Sequence, residues 1–174
     1  MPLKEKNRRK RRIWKNMNYN LDRFKEAQRV DYPIALEEIK SGCKKSHWMW
    51  YIFPQLKDLG YSPTAKYYGI EGKDEAIAYL ADEILRSRLI EISKALLSLE
   101  TSNATEIFGY PDDMKLKFCM TLFFSVAPQI DIFEKVLEKF FAGERDEKTL
   151  DLLGTRLLME KLPIEAANIQ QTTI

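Results

Sequence analysis

From Asn20 onward, apolar residues recur at three- and four-residue spacing, and the punctuation between them is that of helix starts and stops. Asn20 reads as a cap for a helix over Leu21–Arg29, with Leu21, Phe24 and Ala27 or Gln28 on one face. Asp31 ahead of Tyr32-Pro33 reads as a second start, because proline suits a first turn whose N–H groups lack partners. Ile34, Ala35, Leu36 and Ile39 then lead to a stop at Gly42. Ser62-Pro63 repeats the signal for a short helix through Tyr68, ended by Gly69, and Asp74 reads as a cap for Glu75–Leu80. Asp82 precedes the longest pattern, Glu83–Leu99, with Ile84, Leu85, Leu89, Ile92, Leu96 and Leu99 at helical spacing. Asn103 opens a brief helix ending at Gly109. Pro111-Asp112-Asp113 places proline and two acids before Met114–Val126, where acids favour the helix dipole. Asp131 precedes Ile132–Ala142, and Asp146 precedes a last core helix through Leu153.

No Asn-Gly hairpin, sustained alternation or internal repeat interrupts this reading. The expected fold is all-α, a compact single-domain bundle of about seven to nine helices. His47–Phe53 is ambiguous, since a continuous apolar run suits either a helix or a buried strand.

Charge divides the chain more sharply than hydropathy does. The net charge is +2, yet residues 1–16 carry eight basic side chains against Glu5 alone, so the remainder is acidic. The organisation expected is a basic arm over 1–19, a helical domain over 20–154, and an extension over 155–174, helical near 155–162 and frayed from Asn168. Three readings of the arm stand side by side: a contact for nucleic-acid phosphates through residues 1–16, a solvated tag, or translated leader upstream of a working start at Met17. Apolar runs around Trp48–Phe53 and Phe118–Pro128 fall far short of the ~20 residues that a membrane crossing needs, and no apolar run follows the basic start. A cytoplasmic protein without membrane contact is the expectation. Cys43 and Cys119 are expected as separate thiols. With one histidine, His47, and two cysteines, neither a multi-histidine metal site nor cysteine-rich zinc is available, and no metal or cofactor is expected.

The segment KKSHWMWYIFPQLKDLGYSPTAKYY at 44–68 resembles the bacterial family known as domain of unknown function 1810, sometimes labelled "calpastatin". The rest of the pattern is LDRFKEAQ at 21–28, ALEEIKSG at 35–42, DEAIAYLADEILRSRL at 74–89, EIFGYPDDMKLKFCMTLF at 106–123 and FEKVLEKFFAGERDEKTLDLL at 133–153. The resemblance spans roughly Asn20 to Leu153, and it implies a mainly helical fold with no established activity. Members typically carry Arg at position 43 and Ser-Ser before MTLF, so Cys43 and Phe118-Cys119 are local departures that argue against thiol chemistry common to the family.

Candidate chemistry concentrates in the same stretch. If Ser46 caps the following turn, the free N–H groups there, with Lys44 and Lys45, form an anion site. Trp48, Trp50 and Tyr51 offer flat faces for a ring, and Gln55 and Tyr61 add polar reach. His47 is the one imidazole available as a general acid or base, and its orienting partner has to be a carboxylate. Asp112 and Asp113 are candidates for that role, as a pair sharing a proton or holding a cation, with Lys115 close by. Each feature also has a plain structural explanation. The tryptophans fill a core, Ser46 is only a cap, Pro-Asp-Asp is an ordinary helix start, and Asp22, Arg23 and Gln28 are a solvated face. The expectation carried forward is a cleft lined by Lys44, Lys45, Ser46, His47, Trp48, Trp50 and Gln55 and closed by Asp112, Asp113 and Lys115, taking a small anionic, nucleotide-like ligand, with hydrolysis or group transfer by His47 as acid or base its most concrete extension. The alternatives are a protein-interaction module built on exposed aromatics and a nucleic-acid contact through the basic arm. Phosphate-loop, dinucleotide and hydrolase-elbow signatures are missing.

Overall fold

The computed structural model describes residues 19–154. The basic arm, the Met17 start and the 155–174 extension lie outside the described residues. Within them the chain forms nine helices: α1 (Asp22–Lys40), α2 (Met49–Ile52), α3 (Pro63–Tyr67), α4 (Lys73–Ala81), α5 (Glu83–Leu97), α6 (Ala104–Phe108), α7 (Asp112–Val126), α8 (Ile132–Phe141) and α9 (Glu147–Leu153). A 3-10 turn at Lys57–Leu59 and an isolated parallel bridge between Leu56 and Ile70 complete the regular structure. No described helix is long and apolar enough to cross a membrane.

The two helices expected before and after Asp31 are one. Phe24, Gln28, Tyr32, Ala35 and Ile39 form a single buried stripe that runs through Pro33 without a break. Proline removes one ladder hydrogen bond and strains the preceding turn, but continuous burial on the opposite face holds the helix together. Pro33 itself is exposed. Asp31 therefore caps nothing and instead accepts the Tyr51 hydroxyl. Nor does Asn20 cap α1; Leu21 stands there without a side-chain bond, and the Asn20 carbonyl accepts from Arg23 at 2.5 Å.

Most other boundaries follow side-chain caps read from the sequence. Ser62 accepts from the Ala65 amide, Asp82 from Ile84 and Leu85, Asn103 from Thr105, and Asp146 from Thr149. Helix α4 starts two residues earlier than expected, with Gly72 at its cap and Asp74 inside its first turn. Asp131 starts α8 without capping it, its carboxylate being paired with Lys135.

The core gathers where α1 packs on α5, α5 on α8 and α8 on α7, with α4 against both α5 and α7. Phe24, Tyr79, Leu85, Leu89, Phe123 and Phe133 are sealed at its centre. The ring contacts Phe24–Tyr79, Tyr79–Phe123 and Phe123–Phe133, at 5.2, 5.2 and 5.8 Å between centroids, link α1, α4, α7 and α8.

Candidate functional site

Helix α1 ends in a Schellman motif. Gly42, at φ +77°, turns the chain, with Gly42 N–H donating to Ile39 and Cys43 N–H to Glu38. Lys44 N–H then docks on the Ile107 carbonyl of α6 at 2.8 Å. The loop that follows folds around one carboxylate. Glu38 Oε2 accepts the amides of Lys45 (2.9 Å) and Ser46 (3.1 Å) and the Trp48 indole N–H (2.8 Å), while Oε1 accepts the Ser46 hydroxyl (2.5 Å). Burial opposes the Glu38 charge, but the Ser46 hydroxyl, the two amides and the indole outweigh it and bring the carboxyl down to about 2.

This arrangement overturns two expectations. Ser46 is not the cap of the next helix; Trp48 holds that position without a side-chain bond, and α2 is only four residues long. The anion site expected in the turn after Ser46 thus loses its cap, and the amides of Lys45 and Ser46 just before that turn are filled by Glu38. Trp48 is not a stacking platform either. It is 0% exposed, wedged against Phe53 and Phe108, and belongs to the core. Gln55 is likewise buried, and its Oε1 has no hydrogen-bond partner among the described residues, so it lends no reach toward solvent.

Helix α7 brings its first turn to the same corner. Asp112 accepts Lys44 Nζ at 2.9 Å and Lys115 Nζ at 3.1 Å, one ammonium on each oxygen. Lys44 also donates to the Ser46 carbonyl at 2.5 Å and lies 5.1 Å from the Trp48 ring centre. Lys115 lies 5.3 Å from that of Trp50, which is half-buried. Burial raises the Asp112 carboxyl, and the hydrogen bonds and charges of the two lysines more than reverse that, leaving it below the ordinary aspartate range. Asp113 turns inward: Oδ2 accepts the Thr105 hydroxyl at 2.7 Å and Oδ1 the Met114 amide at 2.8 Å. The two aspartates therefore do not share a proton. His47 is exposed, and neither aspartate hydrogen-bonds its ring. Among the described residues no group of three or more His, Cys, Asp or Glu side chains is placed to hold a metal.

The structure thus assembles Lys44, Trp50, Asp112 and Lys115, with Lys45 and His47 exposed on the adjoining loop. It turns Ser46, Trp48, Gln55 and Asp113 inward. An open depression of about 700 Å³ lies elsewhere, lined by Lys117, Glu144, Arg145, Asp146, Glu147, Lys148 and Asp151. Three cations and four carboxylates nearly cancel there, which disfavours it as an anion site. Among the described residues the most exposed aromatics are Tyr61 and Tyr110, at 81% and 82%, rather than Trp48 or Trp50. Nor is the first-helix patch a solvated face. Arg23 is buried and pairs with Glu75 at 2.7 Å while donating to the carbonyls of Tyr67 and Gly69, and Gln28 donates to the Tyr51 carbonyl. Only Asp22 is solvated.

Residues 18–153 match the family model described as "Protein of unknown function (DUF1810)", and the chain belongs to that family. It is similar to a conserved hypothetical protein from Mycobacterium tuberculosis known by crystal structure. The identity is 41%, the match covers 78% of this chain and 97% of that one, and the TM-score is 0.77. No curated protein matches the chain significantly.

Proposed function

We propose that the corner between the 43–48 loop and the start of α7 binds a small anionic, ring-containing ligand of the nucleotide type. Lys44, Lys45, His47 and Lys115 meet its acidic group, and Trp50 and Tyr110 offer faces to its ring. The observation that carries this reading is the convergence of two ammonium groups on one carboxylate. Each ammonium has three donors; Asp112 and the Ser46 carbonyl use two on Lys44, and Asp112 uses one on Lys115. Lys44 is already largely desolvated, with an 8% exposed side chain, so it gives up little further water on meeting an anion. Glu38 and Asp113 keep their charges, but all four of their oxygens are taken by neutral donors of the protein, so neither competes with a ligand for the lysine donors. Among the described residues no side chain hydrogen-bonds the His47 ring, so its assigned role is contact with the ligand rather than proton transfer.

A thermal-shift series over adenosine monophosphate, ribose 5-phosphate and inorganic phosphate tests the reading. At about a hundredfold excess over Kd, a bound ligand adds about 2.7 kcal/mol and raises Tm by several degrees. Adenosine monophosphate is expected to produce that shift in the full chain and in Lys148→Ala on α9, and Lys115→Ala is expected to lose it. Equal shifts in both variants, or none in the unaltered chain, would overturn the proposal.

A further inference from the structure

Among the groups around the corner, Glu38 holds the largest share of the loop and makes no outward contact in the proposed binding. Its four donors come from two successive positions of the loop and from one side chain of the core: two backbone amides, a hydroxyl and an indole. The carboxylate reaches them from the last turn of α1, a helix fixed to the core by Tyr32, Ala35 and Ile39. Lys45 and His47, by contrast, are exposed, and no hydrogen bond or ion pair holds either side chain among the described residues. The direction in which they leave the protein is set by the backbone of residues 45–48, whose Lys45 and Ser46 amides are held by Glu38 while the carbonyls of Ser46 and His47 accept from Lys44 and the Tyr51 hydroxyl.

We infer that residues 45–48 form a carboxylate receptor whose resident occupant is Glu38, and that Glu38 is thereby the positioning residue for Lys45 and His47 at the corner. The chemistry is specific. The Oε2 position meets three N–H donors and takes only an acceptor, and a charged carboxylate holds them more tightly than a neutral carboxamide, whose NH₂ end can still meet the Ser46 hydroxyl. A small free carboxylate has the matching oxygens and can occupy the receptor once the Glu38 side chain is cut back. The loop part stands on contacts within the chain; only its consequence for a ligand rests on the binding reading above.

The test uses the full chain and two readouts. By amide and indole hydrogen exchange in NMR, Glu38→Ala is expected to speed exchange at Lys45 N–H, Ser46 N–H and Trp48 Nε1–H at least about tenfold, leaving helix amides such as those of Leu89 and Phe123 unchanged. Acetate at about 50 mM is expected to restore the slow exchange, whereas chloride at equal ionic strength does not. Should Glu38→Ala fail to fold, Glu38→Gln is expected to show a smaller acceleration, about threefold, without acetate rescue, since its amide fills the space but lacks the charge that strengthens the bonds. Unchanged exchange in either variant, or acetate without effect on a folded Glu38→Ala, would overturn the inference. Adenosine monophosphate provides the separate readout: its Kd should rise about fivefold or more in Glu38→Ala and less in Glu38→Gln. If the exchange result holds and the unaltered chain binds no adenosine monophosphate, the corner's proposed ligand is wrong and the positioning of the loop stands.

Discussion

Arg23 and Glu38 occupy opposite ends of α1, each with the charge that the helix dipole disfavours there. A cation in the first turn and a carboxylate in the last turn need tertiary partners, and both have them: Glu75 and three carbonyls for Arg23, four donors for Glu38. That mismatch was visible in LDRFKEAQ and ALEEIKSG, and it is the signal that would have marked both residues as anchors; reading Arg23 as part of a solvated face overlooked it. Breaking the Arg23–Glu75 pair leaves a buried cation with carbonyl partners but no counter-charge, so Glu75→Ala should cost about 3 kcal/mol in chemical denaturation, and a loss under about 1 kcal/mol would show the pair to be expendable. The Glu38 carboxyl gives a pH-dependent prediction. Its folded value is about 2, below the ~4.3 of an unfolded glutamate, so its stabilisation is complete above about pH 5 and lost as pH falls toward 2. Glu38→Gln should be about 2 kcal/mol less stable near neutrality, and the gap should close progressively below pH 5. A gap independent of pH would mean that the carboxylate charge contributes nothing.

Helix α1 carries the main disagreement between local signals and the folded chain. Pro33 after Asp31 has the form of a helix start, yet the stripe from Phe24 to Ile39 keeps its phase across it, and burial overrode the local preference. Periodicity followed over the whole stretch would have joined the two halves; reading start signals first divided them. The strain remains, so Pro33→Ala should stabilise the protein by about 1–2 kcal/mol, the restored helix bond outweighing the extra freedom of the unfolded chain. A fall in Tm would contradict that. The end of α5 shows a cap that no local pattern announces. Lys139 of α8 donates to the carbonyls of Leu96, Leu97 and Leu99, closing a helix that the apolar spacing had extended to Leu99. Lys139→Met should cost about 1 kcal/mol and speed amide exchange in the last turn of α5.

At the scale of the whole molecule, the all-α architecture follows from capping residues and helical periodicity, which agree with each other almost everywhere. The candidate site divides differently. Lys44, Trp50, Asp112 and Lys115 meet because α6 and the Lys44–Ile107 bond bring the α1–α2 loop to the start of α7. Residue types gave reason to look there. They could not show which way each side chain turns: Trp48 and Asp113 satisfy buried partners, Ser46 bonds backwards to Glu38, and only Lys45, His47, Trp50 and the lysine–aspartate cluster remain for a ligand. An aromatic-rich run fills a core first, and the outward face is what remains. The most direct measurement is an amide-detected NMR titration of the full chain with adenosine monophosphate. Binding at the corner predicts saturable shifts confined to residues 44–50 and 110–115, absent in Lys115→Ala. Shifts centred on residues 144–151, or no saturable shifts at all, would contradict it.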